Sequence, residues 1–387
     1  MAVHIVADEN IPLIDEFFAD IGTITRVAGR TMSAADLSAA DALLVRSVTQ
    51  VNESLLAGSN VKFVGTATIG TDHVDQDYLQ QHNIGFRSAP GCNAQAVVDY
   101  ILSALSVLND SRGQAFTDLT VAIVGVGNVG LLLRQRLEEM GVAVLAVDPF
   151  KDPQDVGELV SLDEVLQADV ISLHTPLTTD GEHATRHLIN AERLQRMKPD
   201  ACLINSCRGA VVDNRALQQH MLAQPEFEAI LDVWENEPEL DLELMNRAML
   251  ATPHIAGYSL DGKMRGTEMV YQGLCECFGV PVRRKLAQFL PEPGIKMVTF
   301  TDQVPMNQAL RTAIRAAYEI RVDDGVMRSA MIRASHQGDG SLRATFDQLR
   351  RDYPLRRDIP RLKVAVPSKC HDLQDTLKAA GFDVRAK

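Results

Sequence analysis

The chain has no unbroken apolar run approaching the roughly 20 residues needed to span a bilayer. Its opening residues, MAVHIVADEN, lack the basic stretch followed by an apolar core that marks a secretory signal. These two absences predict a cytoplasmic protein with no membrane association. Cysteine is sparse: there are six, at 92, 202, 207, 275, 277 and 370, with no CxxC pair. Cys275 and Cys277 fall two apart in an expected helix, where side chains diverge. Neither a metal site nor a disulfide framework is therefore expected. Low-complexity segments are missing too, and the composition is that of an ordinary α/β protein long enough for two or three domains.

Positive charge is short overall but not everywhere. The net charge is −13, yet residues 281–387 carry 20 Lys/Arg against 12 Asp/Glu, a local balance of +8. The first 280 residues carry 18 against 39, or −21. An acidic body argues against nucleic acid as a partner. The basic tail suits an acidic partner surface, an anionic ligand or both; a solvated arginine-rich face is the plainer reading.

What is present is organised around residues 120–148, TVAIVGVGNVGLLLRQRLEEMGVAVLAVD. A short apolar run reads as a buried strand, and glycines follow at 125, 127 and 130. Gly125 permits a tight turn, Gly127 lets backbone approach a pyrophosphate, and Gly130 lets helix pack on strand. Asn128 and Val129 begin the helix, whose free N–H groups face the phosphates. A second strand then delivers Asp148, which can accept ribose hydroxyl hydrogens of NAD and would repel the 2′-phosphate of NADP. Strand, helix, strand and acid in that order support a dinucleotide site, and NAD as its cofactor.

The remainder alternates strand and helix, the pattern of parallel sheets covered by helices. Strands are expected over 3–7, 42–45, 63–66 and 84–87, with helices over 12–20 and 77–82. Arg46, Ser47 and Thr68 lie just past two of these strands, where open α/β sheets bind ligands; ordinary loop capping would use the same residue types. A long helix over 94–108 leads into the dinucleotide fold, which continues with strands over 170–173, 201–205, 230–233 and 249–251. Asn190 and Asp213 read as helix N-caps. A helix over 261–278 is expected to cross back onto the first unit. Residues 283–293 read as a linker, followed by a helix over 307–321 and a strand–helix–strand over 362–384.

Three complementary groups follow strand ends in the second half: Arg208 in NSCRGAVVD, Glu237 in LDVWENEP and His254 in TPHIAG. Arginine clamps a carboxylate bidentately, histidine takes a hydroxyl proton near neutral pH, and glutamate steadies the imidazolium. Oxidation of a 2-hydroxy acid needs this set. Singly, each could be a turn or loop residue.

With GVGNVG at 125–130, HTPL at 174–177, NSCRGAVVD at 205–213, LDVWENEP at 231–238 and TPHIAGYS at 252–259, the chain resembles the D-isomer-specific 2-hydroxyacid dehydrogenases. VADEN at 6–10, LLVRSVTQVNESLL at 43–56, GTATIGTDHVD at 65–75, APGCNAQAVVDY at 89–100 and FDQLRRDYPLRRD at 346–358 narrow the likeness to one branch of that family. The resemblance implies a Rossmann NAD domain over 99–256 and a discontinuous flavodoxin-like substrate domain over 1–98 and 257–285. It implies a C-terminal α+β dimerisation domain over 286–387, hence a homodimer. It implies NAD-dependent oxidation of 4-phospho-D-erythronate to (3R)-3-hydroxy-2-oxo-4-phosphooxybutanoate in pyridoxal phosphate biosynthesis. Arg208, Glu237 and His254 become its catalytic residues, and Ser47, Thr68 and Tyr258 its substrate contacts. Thr175, Ser206, Cys207, Arg208, Asp232 and Gly257 join the glycine turn and Asp148 as NAD contacts. The rivals are a dehydrogenase of the 3-phosphoglycerate type and an NAD-sensing corepressor-like protein. A substrate with both carboxylate and phosphate needs two cationic anchors. Beside Arg208, the candidates are Arg46 or one of Arg350, Arg351, Arg356 and Arg357 reaching the partner subunit's site.

Overall fold

The computed structural model describes residues 3–338 and 340–387. The chain divides into two compact units, one running from the N-terminus to Asn93 and again from Ser259 to Glu292, the other holding the rest. The first unit is a five-stranded sheet of β1 (Val3–Asp8), β2 (Gly22–Val27), β3 (Ala42–Val45), β4 (Phe63–Thr66) and β5 (Gly85–Arg87). All pairings are parallel, in the order β2-β1-β3-β4-β5, the flavodoxin-like arrangement. Alternate strand residues feed opposite cores. Ala42 and Leu44 pack with Phe17, Phe18 and Tyr271, whereas Leu43 and Val45 pack with Leu37, Leu55 and Leu56. The helix Leu260–Phe278 lies on this sheet, capped by the Ser259 side chain. Its close approach needs Gly65, where a Cβ would stand 2.4 Å from Val270 Cγ1. The edge strand β2 is absent from the sequence reading. Its residues alternate in burial and include two threonines and an arginine, so it shows no apolar run.

The second unit is built on β6 (Thr120–Val124), β7 (Ala143–Val147), β8 (Val170–Leu173), β9 (Cys202–Asn205), β10 (Glu228–Leu231) and β11 (Leu250–Ala251). This sheet is also wholly parallel, in the order β11-β10-β9-β8-β6-β7. Strand order reverses between β6 and β8, a topological switch point of the Rossmann type. Val121, Ile123, Val170 and Ile204 face Tyr100, Leu105, Leu133 and Leu137; Ala122, Val124, Ile171 and Leu203 face Leu166, Leu194 and Met221.

The C-terminal segment adds a parallel sheet of β12 (Met297–Thr299), β13 (Lys363–Val366) and β14 (Asp383–Ala386). It shares both cores of the six-stranded sheet. Leu310, Ile314, Leu377 and Phe382 join the Tyr100 side, and Met327, Met331 and Phe346 join the other. The single helix expected over 307–321 is two helices, Met306–Ala317 and Ile320–Ser335. Tyr318 breaks the run with an extended φ of −152°, and its carbonyl accepts the buried Ser103 hydroxyl at 2.8 Å. The helix Ser341–Arg351 and strand β12 were likewise not read from sequence. The strand expected over 230–233 ends at Leu231, because Asp232 is recruited by the loop beyond β11. Among the described residues, no helix is long and apolar enough to cross a membrane, and no cluster of His, Cys, Asp or Glu could hold a metal ion.

Candidate active site

The turn after β6 depends on its glycines. Gly125 has φ +94°, and a Cβ there would lie 2.8 Å from the His174 carbonyl oxygen. A Cβ on Gly130 would stand 2.0 Å from the Gly125 carbonyl, so helix and turn meet backbone to backbone. Gly127 differs: it caps the helix Asn128–Glu139, and a Cβ there would meet only open space. The free N–H groups of that helix therefore border an accessible face, as a pyrophosphate requires. Asn128 is exposed, whereas Val129 is half-buried against the core. Just past β7, Asp148 is held at this turn, accepting the Val126 N–H at 2.9 Å and the Phe150 N–H at 3.0 Å.

Across the switch point, Thr175 follows β8 and Ser206 follows β9. Their hydroxyl oxygens are buried with no hydrogen-bond partner among the described residues. Buried polar groups are almost always bonded, so these two are what a bound cofactor would satisfy. Cys207 is buried, its Sγ 3.2 Å from Asn205 Oδ1, and burial pushes its thiol pKa up. It is thus a framework residue and a poor nucleophile.

The three complementary groups stand past β9, β10 and β11, which are neighbours in the sheet. Asn205, fully buried, donates to the Arg208 carbonyl at 3.0 Å and accepts the Cys207 N–H at 3.2 Å. This fixes the backbone from which Arg208 projects; its exposed guanidinium donates to the Cys207 carbonyl at 2.8 Å. Gly209 is obligatory, since a Cβ would sit 2.0 Å from the Trp234 carbonyl oxygen. The loops after β9 and β10 are therefore in backbone contact.

Glu237 and His254 are joined directly, His254 Nδ1 lying 2.5 Å from Glu237 Oε1. The other carboxylate oxygen accepts the Trp234 N–H at 3.2 Å. Burial works to raise the Glu237 pKa, but the His254 bond and charge, the Trp234 N–H and the Arg350 charge together hold it below the ordinary value. An ionised Glu237 can only accept, so Nδ1 carries the hydrogen and donates to it, which leaves Nε2 as the basic nitrogen. His254 is left-handed, with φ +58°. For a non-glycine residue that conformation costs about 1–3 kcal/mol and must be held in place. Asp232 holds it: its carbonyl accepts the His254 N–H at 2.7 Å. Its carboxylate accepts the Ile255 N–H at 2.8 Å, the Ala256 N–H at 2.9 Å and the Thr252 hydroxyl at 2.6 Å. Asp232 thus spends most of its lone pairs on the histidine loop, and Gly257 follows in that loop.

Two tail arginines meet the same loop from within the chain. Arg356 donates to the carbonyls of Ile255 (3.2 Å), Ala256 (2.5 Å), Tyr258 (3.1 Å) and Ala96 (3.0 Å), and to the Tyr353 hydroxyl (3.0 Å). Its guanidinium lies 4.0 Å over the Tyr318 ring. So engaged, Arg356 is a clamp and not a ligand for a distant site. Arg350 donates to the Tyr258 hydroxyl at 3.3 Å. Arg351 is exposed, 3.3 Å from Gln348 Oε1. FDQLRRDYPLRRD marked the stretch; which arginine faces which group is a matter of helix phase and turn that the letters do not carry.

In the first unit, Arg46 forms a double hydrogen bond to the fully buried Asp8, at 3.1 and 3.2 Å. Ser47 is exposed beyond β3. Past β4, the Thr68 hydroxyl pairs with Thr66 Oγ1 at 2.7 Å and donates to the Gly70 carbonyl at 3.0 Å.

Residues 102–256 match the model of the D-isomer specific 2-hydroxyacid dehydrogenase NAD binding domain, and residues 289–381 match a domain of unknown function. The chain is 49% identical over 386 residues to an erythronate-4-phosphate dehydrogenase of Marinobacter nauticus, covering 98% of this chain and 99% of that one. An erythronate-4-phosphate dehydrogenase of Hahella chejuensis is 48% identical, with both chains covered completely. The chain belongs to the erythronate-4-phosphate dehydrogenase family. That family sits within the D-isomer-specific 2-hydroxyacid dehydrogenases. Among solved structures, D-lactate dehydrogenase of Aquifex aeolicus, complexed with NAD and lactic acid, aligns with a TM-score of 0.57 at 25% identity, covering 71% of this chain and 96% of that one. The family member described here is an NAD-dependent oxidoreductase, and NAD is its cofactor.

Proposed function

We propose that this enzyme oxidises the 2-hydroxyl of 4-phospho-D-erythronate, giving (3R)-3-hydroxy-2-oxo-4-phosphooxybutanoate for pyridoxal phosphate biosynthesis. The observation that carries the reading is the His254–Glu237 pair, 2.5 Å apart at the strand edge that bears Arg208. Gly125, Gly127, Asn128, Val129 and Gly130 would receive the pyrophosphate, with Asp148 at the ribose. Thr175, Ser206, Cys207, Arg208, Asp232 and Gly257 would border the remainder. When bound, NAD supplies the hydride acceptor.

The chain's own residues handle the proton and the charge. His254 Nε2 accepts the hydroxyl proton, and Glu237 steadies the resulting imidazolium through Nδ1. Arg208 clamps the carboxylate and opposes charge developing on the C2 oxygen. The family resemblance adds Ser47, Thr68 and Tyr258 as substrate contacts, with Arg46 a candidate anchor. Because Asp8 already occupies two donors of Arg46, its pull on a further anion is reduced.

The test is purified protein with 4-phosphoerythronate and either NAD or, starting from the reduced cofactor, a 2-oxo acid. His254→Ala should abolish turnover and still bind cofactor; retained turnover would remove His254 from the mechanism. Faster turnover of 3-phosphoglycerate would favour the rival dehydrogenase. The dehydrogenase names of the relatives weigh against a corepressor role. We place the enzyme in the cytoplasm as a homodimer formed through its C-terminal segment. Val322 (61% exposed) and Val326 (52%), one turn apart on the helix Ile320–Ser335, supply apolar surface for that contact. A one-subunit mass in solution would refute it.

A further inference from the structure

Two arginines of the C-terminal segment converge on the loop after His254, and they differ in what their donors do. Arg356 gives both Nη groups to backbone carbonyls and the Tyr353 hydroxyl, over the Tyr318 ring, and its Nε is left without a partner. Arg350 makes far fewer bonds. It stands in the last turn of the helix Ser341–Arg351, half-buried, with Nη2 3.3 Å from the Tyr258 hydroxyl. Its Nε is buried without a hydrogen-bond partner, and no carboxylate among the described residues pairs with it. Phe346 lies under the guanidinium, 6.0 Å from the ring centroid. A guanidinium has five donors in a rigid fork suited to phosphate. Removing such a group from water without an anion is unfavourable, so an unpaired one beside a catalytic pair marks where an anion goes. The Arg350 charge is felt by Glu237, which places the fork within electrostatic reach of the His254–Glu237 pair.

We propose that Arg350 anchors the phosphate of the substrate from the same chain that carries His254. The proposal rests on the functional reading above and makes it specific. Arg208 takes the carboxylate at one end of the four-carbon acid, and Arg350 with the Tyr258 hydroxyl takes the phosphate at the other. No arginine of a partner subunit is needed. Selectivity for a phosphorylated over an unphosphorylated acid then resides largely in one side chain of the C-terminal segment.

The test is the full-length enzyme carrying Arg350→Gln, which keeps a polar side chain but removes charge and fork. Its kcat/KM is measured on 4-phosphoerythronate and on unphosphorylated D-erythronate, with the thermal midpoint and NADH binding alongside. The preference for the phosphorylated acid should fall roughly ten- to a hundredfold, as expected for losing a charged hydrogen-bonded contact. Inorganic phosphate should lose potency as a competitive inhibitor by a similar factor. An unchanged preference, whether both activities fall together or neither does, would overturn the proposal. Should the glutamine variant fail to fold, Arg350→Lys carries the same measurement, with a smaller fall expected because a point charge replaces the fork. Wild-type enzyme that binds NADH yet turns over neither acid would refute the functional reading itself, before any substitution is made.

Discussion

Replacing Arg356 with methionine leaves much of the stem over Tyr318 but deletes the guanidinium, and with it five hydrogen bonds. A hydrogen bond to a charged group contributes about 1.5–3 kcal/mol, so a simple sum is on the order of 7–15 kcal/mol. That sum is too large. The folded state no longer bears the desolvation cost of the cation, and carbonyls at the rim of the loop can turn to water. Breaking a buried charged cluster by removing one partner costs about 3–5 kcal/mol, and this is the expected loss. In a unit of this size it corresponds to a fall in the thermal midpoint of roughly 6–20 °C. Three of the released carbonyls, those of Ile255, Ala256 and Tyr258, flank the left-handed His254, so the catalytic loop loosens with the fold. Well below the midpoint, where the variant is fully folded, kcat/KM should still drop about ten- to a hundredfold through misplacement of the imidazole. Scanning calorimetry and steady-state kinetics at two temperatures separate the two effects. A midpoint shift below ~2 °C with wild-type kcat/KM would show that the loop holds its shape without the clamp, and the reasoning would fail.

Asp99 is buried, and burial followed by the nearby Asp358 charge pushes its pKa up to about 8, against the Ile359 N–H, Gln95 and Arg356. A carboxyl group raised in the folded state stabilises fully below its ordinary pKa of about 4, and that contribution is lost as pH rises through about 8. The wild-type midpoint should therefore decline between about pH 4 and 8 relative to that of Asp99→Asn and level off above about 8, and parallel curves would exclude Asp99 as the source. Gly209→Ala forces a methyl onto the Trp234 carbonyl, 2.0 Å from the Cβ position. A destabilisation of at least about 1–3 kcal/mol should follow in urea titration, and an unaffected midpoint would contradict the backbone contact.

The candidate site was legible wherever a short motif is tied to a strand end. Parallel strands announce themselves as short apolar runs, and the crossover rule sends their carboxyl ends to one edge. Gly125, Asp148, Arg208, Glu237 and His254 could therefore be placed on that edge from letters alone. The acid after β10 and the histidine after β11 need only adjacent strands to meet, as they do at 2.5 Å. Where no apolar run exists the reading failed. Edge strands β2 and β12 are half-exposed and mix polar with apolar residues, so their pattern merges with loop. The break at Tyr318 was invisible because the Ser103 hydroxyl that donates to its carbonyl lies 215 residues away in sequence.

The sequence by itself determined most strands of the two sheets, the glycine turn after β6 and which candidate groups stand past strand ends. Those follow from local periodicity, from glycine's freedom at φ +94°, and from the order of strand ends. It also marked the arginine-rich stretch near the end, without assigning its members. Tertiary structure alone decided that Asp232 spends its carboxylate on the histidine loop, that Arg356 is consumed by carbonyls of that loop, and that Arg350 donates to Tyr258 and leaves its Nε unpaired. A guanidinium becomes a clamp or a ligand site according to what lies within about 3 Å of its nitrogens, a distance set by packing and not by neighbours in the chain.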